Sequence, residues 1–171
     1  MPPREWRNGW RMSSETWGYD LVTLNHYAVR SAESYLVKRD RGRVNHVDRG
    51  QGVAYWFRMN HNAEVDRSIR RYDAPVADER AGLLALPGVQ AAHERSVSWH
   101  RERVAFLRQQ PEFTRLYDEI TGDRLRRLSR MLRHFGGNVF LSGPDVIPDD
   151  IAARPAGEDW HFTIEKPVRA D

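Results

Sequence analysis

The chain has no cysteine. Disulfide frameworks, thiolate nucleophiles and cysteine-zinc sites are therefore excluded. Lysine is nearly absent too. Of 27 Lys and Arg residues only Lys38 and Lys166 are lysines, and the other cations are Arg. No apolar run approaches the roughly 20 residues that a bilayer-crossing helix needs. The opening Met1-Pro-Pro-Arg-Glu-Trp6 lacks the apolar centre of a signal peptide, so a cytoplasmic address is the default expectation. There is no internal repeat and no low-complexity linker.

What is present fits a folded domain of ordinary size. The 171 residues match one domain, or part of a larger one. Mean hydropathy is low at -0.74, yet six each of Trp, Tyr and Phe are too many for a disordered tail. The net charge is +3 and the pI about 9.5, a mild attraction to polyanions at most. GC-rich coding explains the Arg excess first. The functional reading is that the planar guanidinium fork suits phosphate and carboxylate.

Texture changes near residue 73. Upstream the chain is aromatic and irregular, with Trp6, Trp10 and Trp17 as anchors that pack on an apolar surface or form a sugar-stacking platform. Leu21–Leu24 is short and β-prone and reads as a strand. Ser31 reads as a helix N-cap, with Glu33 in the first turn and Gly42 as the stop. Asn62 reads as the cap of a further helix through Val65 and Ile69. Downstream, Val89–Gln109 predicts a helix that Pro111 interrupts. Leu125, Leu128, Leu132 and Phe135, spaced three, four and three, predict one amphipathic helix that Gly136-Gly137 ends. Arg124, Arg126, Arg127, Arg130 and Arg133 fill its other face. With no helix-turn-helix, zinc-finger or RNP signature, and acids close by, a solvated face is the simpler reading, and nucleic acid is a disfavoured partner. The segment after Gly143-Pro144 reads as a loose polar tail. The expected fold class is α+β and helix-dominated: short strands first, then amphipathic helices.

Chemistry concentrates in 24–42. His26 follows the expected strand, and Arg30 and the Ser31 helix start come within the next five residues. A helix N-terminus attracts anions through its free N–H groups and dipole. An imidazole, a guanidinium and a helix start together suit a diphosphate with a divalent cation, and imidazole favours Mn²⁺ over Mg²⁺.

The order Asn25-His26-Tyr27-x-x-Arg30-Ser31-x-Glu33, then Lys38-x-x-Arg41-Gly42, resembles the HY-x-x-K/R-S-x-E … K-x-x-x-G block of family-2-like bacterial glycosyltransferases and the related family 92 group. The likeness spans about 17–70. It implies a GT-A-like α/β domain, a nucleotide-sugar donor, an acceptor that the sequence does not name, and a divalent cation, Mn²⁺ or Mg²⁺. It places His26 at the metal, Arg30 and Ser31 near the donor diphosphate, and Glu33 in a positioning role. The resemblance also implies an Asp-x-Asp motif on an upstream nucleotide-binding half. No Asp-x-Asp occurs in the chain, so the expectation is a C-terminal portion with weak or no turnover alone. On this reading residues 1–73 are the partial catalytic region and 74–171 a helical extension, with a protein partner covering the absent half. Asp20, Glu33 and Asp48 are the open candidates for an acceptor base. The alternative class is a non-catalytic helical binding module, carried by the helices of 89–135.

Overall fold

The computed structural model describes residues 26–42 and 50–166. The strand expected at Leu21–Leu24, the three Trp anchors, Asp20 and Asp48 lie outside them.

Local signals set the first helix. Ser31 takes an extended backbone (φ -120°, ψ 162°) and its hydroxyl accepts from the Ser34 amide, capping α1 (Ala32–Arg41). The helix ends at Gly42, whose φ of 73° is open to glycine without strain and whose amide returns to the Arg39 carbonyl. Tyr35 and Leu36 are fully buried and turn α1 onto α4 (Val89–Leu107) and α5 (Pro111–Thr121). In α5, Pro111 opens the first turn and Phe113, Leu116 and Ile120 recur at helical spacing, all buried.

The α+β expectation is overturned: the described residues contain helices and no strand, and their β feature is the isolated bridge between Phe135 and Phe162. There is accordingly no α/β layering of the GT-A kind among them. Short aromatic and β-branched runs form helices here because they are enclosed on several sides. Val53–Met59 is α2, in which the consecutive Tyr55, Trp56 and Phe57 are all buried between α5 and α7 (Gly137–Ser142). Enclosure of this kind satisfies backbone groups inside the segment and removes the need for a sheet partner.

Three further expectations are corrected. Asn62 caps no helix. Its amide donates to the Ser129 carbonyl (2.9 Å) and its side chain to the Ser129 hydroxyl (3.1 Å), and the chain becomes helical only at the 3-10 turn Ser68–Tyr72 before α3 (Asp73–Leu84). The Leu125–Phe135 stretch is not one helix. α6 (Asp123–Leu128) stops at Ser129 and a 3-10 turn covers Leu132–His134, although all four expected apolar residues are buried. The Gly136-Gly137 pair therefore opens α7 rather than closing a helix.

Nor is the C-terminal segment loose. Ile147, Ile151 and Ala152 are buried, the last two on α8 (Asp149–Ala152). Phe162 exchanges backbone hydrogen bonds with His134 and Gly136, both at 2.9 Å. His134 stacks on Trp160 at 4.1 Å between centroids. One core thus joins both sides of residue 73, since Leu36 and Phe57 share it with Leu116, Leu128 and Val139. The exception is the arm of α3 and α4, where of the residues between His61 and Phe106 none is buried.

Candidate functional site: a basic cleft at the start of α1

Residues 27–30 run into Ser31 along the side of α1, and one lysine holds them there. The Lys38 ammonium donates to the Ala28 carbonyl (2.5 Å) and to the Tyr55 hydroxyl (3.1 Å). Tyr35 and Tyr55 lie parallel at 6.2 Å, and the Tyr35 hydroxyl donates to the Gly52 carbonyl at 2.8 Å. α1 and the segment before it are therefore fixed against α2 from two sides.

Between residues 27–41 and α4 lies a cavity of about 470 Å³. Arg30, Lys38 and Arg41 supply its cations, and Tyr27 and Trp99, 62% and 60% exposed, add two aromatic side chains to its lining. α4 closes the far wall. The His100 Nε2 lies 3.3 Å from the Ser34 hydroxyl. Arg103 grips Asp40 with two parallel hydrogen bonds of 2.8 and 2.7 Å, and that bond holds the guanidinium pKa above its ordinary value. Asp40 is thereby committed, and the cleft keeps an excess of positive charge. Below it, the Tyr117 hydroxyl donates to Glu33 at 2.7 Å. That bond lowers the carboxyl pKa below its usual value, with help from backbone and Ser31 hydrogen bonds, and raises the phenol in turn. Arg108 lies over the same phenol ring at 3.8 Å.

Of the residues singled out from the sequence, Arg30 lines the cleft, and Ser31 caps α1 but is not among the lining residues. His26 is exposed and is not among them either. Nothing among the described residues gathers three or more His, Asp or Glu into a group that could hold a metal ion. Glu33 is tied to Tyr117 and does not line the cleft. Sequence reading missed Trp99, His100 and Arg103. All three belong to α4, more than 55 residues downstream of the block they face, and the only trace of that pairing is the helical spacing of His100, Arg103 and Leu107.

The Arg-rich stretch is also partly consumed internally. Arg124 donates to the Ile147 carbonyl at 2.6 Å and Arg133 to the Ala156 carbonyl at 2.7 Å. No helix of the described residues is long and apolar enough to cross a membrane. Comparison with protein-family models, curated proteins and solved structures returns no match to this chain.

Proposed function

We propose that this chain belongs to a sugar-transferring enzyme of the cytoplasm and that the α1 cleft receives the diphosphate end of a nucleotide-sugar donor. The observation that carries the reading is the meeting of Arg30, Lys38 and Arg41 with the exposed rings of Tyr27 and Trp99 on one cavity. This is the segment whose residue order resembles the glycosyltransferase block. Guanidinium forks match phosphate oxygens with paired hydrogen bonds, whereas the rings offer apolar faces to a base or a sugar.

The cleft is suited to binding more than to chemistry. Asp40 is held by Arg103 and Glu33 by Tyr117, so neither carboxylate is free to take a proton from an acceptor hydroxyl. The expected activity of the chain alone is donor binding with little turnover.

Titration with uridine and guanosine diphosphates, followed by Trp fluorescence and calorimetry, tests the reading. Binding at millimolar affinity or better is expected. Arg30→Ala and Arg41→Ala should each weaken it about tenfold, the loss of one charge-assisted contact. Absence of any nucleotide binding, or binding indifferent to both variants, overturns the proposal. Nucleic acid is less favoured, because Arg124 and Arg133 are spent on carbonyls within the fold.

A further inference from the structure

α4 forms one wall of the cleft, yet little of it belongs to the core. Of its 19 residues only Leu107, the last, is buried, and α3 before it has no buried residue. None of Val97, Trp99, Val104 and Phe106 joins the core that the other helices share. The arm leaves the body through residues 63–67, which are non-helical and exposed throughout, and rejoins it at Leu107. Beyond that point Gln110 is extended (φ -86°, ψ 127°) and Pro111 opens α5, so α4 does not run on as one rigid rod. A segment with so few buried apolar contacts opens at a small fraction of the cost of global unfolding.

The ties from the rest of α4 to α1 are polar. Arg103 and His100 lie one and two turns before Leu107, on the same side of the helix. Arg103 holds Asp40 by its two parallel hydrogen bonds, and His100 meets Ser34 at 3.3 Å, a long contact. The Arg103 and Asp40 side chains are 34% and 25% exposed, so water and salt reach the pair and weaken it. A helix anchored at its last residue and held along its length by an exposed ion pair can swing about the anchored end. Trp99 and His100 ride on it, and the swing changes the width of the cleft that they line.

We propose that α4 is a hinged wall. The Arg103–Asp40 pair latches it over the cleft, and breaking that pair lets the arm of α3 and α4 swing about Leu107. That the swing controls ligand entry rests on the nucleotide reading above, whereas the latch itself does not. Because the chain has no cysteine, Ala92→Cys on α4 and Asp118→Cys on α5, both at exposed positions, take spin labels without competition. Ala92 lies 15 residues before Leu107, a lever of roughly 22 Å, so a swing of about 15° carries it roughly 6 Å. Double electron–electron resonance on the labelled full chain should give one narrow distance distribution. Arg103→Gln and Asp40→Asn should each widen it by about that displacement, and so should about 1 M salt in the parent. Circular dichroism should show both variants folded, since both positions are at the surface. Saturating uridine diphosphate should narrow the variants' distributions again, because a ligand seated between the α1 cations and Trp99 replaces the latch. Identical distributions in parent and variants, or a parent as wide as the variants, would overturn the latch. Failure of uridine diphosphate to bind would instead overturn the nucleotide reading, and the unliganded distances would still decide the latch.

Discussion

The Tyr117 hydroxyl donates to the Glu33 carboxylate at 2.7 Å, joining the first turn of α1 to α5 across 84 residues of sequence. The bond favours the ionised carboxylate and the protonated phenol. Glu33 therefore titrates below its ordinary 4.5 and Tyr117 above its ordinary 10.0. The sign follows from linkage. Glu33 contributes stability that is fully present above about pH 4.5 and is lost as pH falls through its lowered folded value. Tyr117 contributes stability that is present below about pH 10 and is lost as pH rises through its raised one. In urea denaturation, Tyr117→Phe should be less stable than the parent chain by a constant margin between these limits. The margin should shrink toward both extremes. A margin that does not change with pH would mean the bond is absent in solution.

Leu36 has no exposed surface and links α1 to the shared core. Its replacement by Ala removes buried methyl groups and leaves a cavity, at a cost of about 2–5 kcal/mol. Because a single core spans both sides of residue 73, the loss should appear as one cooperative transition at lower denaturant, without an early step confined to α1. Leu141, 54% exposed on α7, provides the contrast, with Leu141→Ala costing less than about 0.5 kcal/mol.

How much of this architecture is legible in the sequence depends on whether its cause is local. The Ser31 cap, Glu33 in the first turn and the Gly42 stop are local, and α1 follows them. The start of α4 at Val89, after Pro87-Gly88, is local too. The break at Ser129 is not, because it accompanies Asn62 reaching across 67 residues to the Ser129 hydroxyl. The same holds for the C-terminal segment. Its polar, proline-broken composition conceals Ile147 and Ile151 inside the core and Trp160 against His134. At the cleft, Arg30 is legible from the block it belongs to. The pairing of Arg103 with Asp40, 63 residues apart, is set by the packing of α4 on α1, which no motif announces.

Gly136 lies where the C-terminal segment crosses the start of α7. A Cβ there would fall 2.8 Å from the Thr163 Cβ and closer still to its hydroxyl. Gly136→Ala must displace Thr163, and with it the Gly136–Phe162 hydrogen bond of 2.9 Å. Overpacking of this kind costs about 1–3 kcal/mol. The displaced segment should also become the first site of limited proteolysis. Cleavage after residue 155 should accelerate in the variant well before global unfolding. Equal cleavage rates in variant and parent would show that the segment yields without strain.

Lys38 is one of two lysines in a chain that otherwise uses Arg, and its surroundings explain the choice. The ammonium is a compact donor that reaches the Ala28 carbonyl and the Tyr55 hydroxyl together, 4.9 Å from the Tyr55 ring centroid. A guanidinium is longer and planar and cannot converge on both oxygens from the same helix position. Lys38→Arg should therefore behave as a loss despite retaining the charge. Stability should fall by about 1.5–3 kcal/mol, the worth of a charge-assisted hydrogen bond, or roughly 3–12 °C in melting temperature for a chain of this size. Freed from Ala28, the segment carrying Arg30 should shift, and nucleotide diphosphate affinity should drop alongside the melting temperature. Lys38→Met, which keeps the unbranched stem without the donor, should match the Arg variant in stability and bind the diphosphate more weakly still. If Lys38→Arg melts and binds like the parent chain, the two hydrogen bonds do not position the cleft.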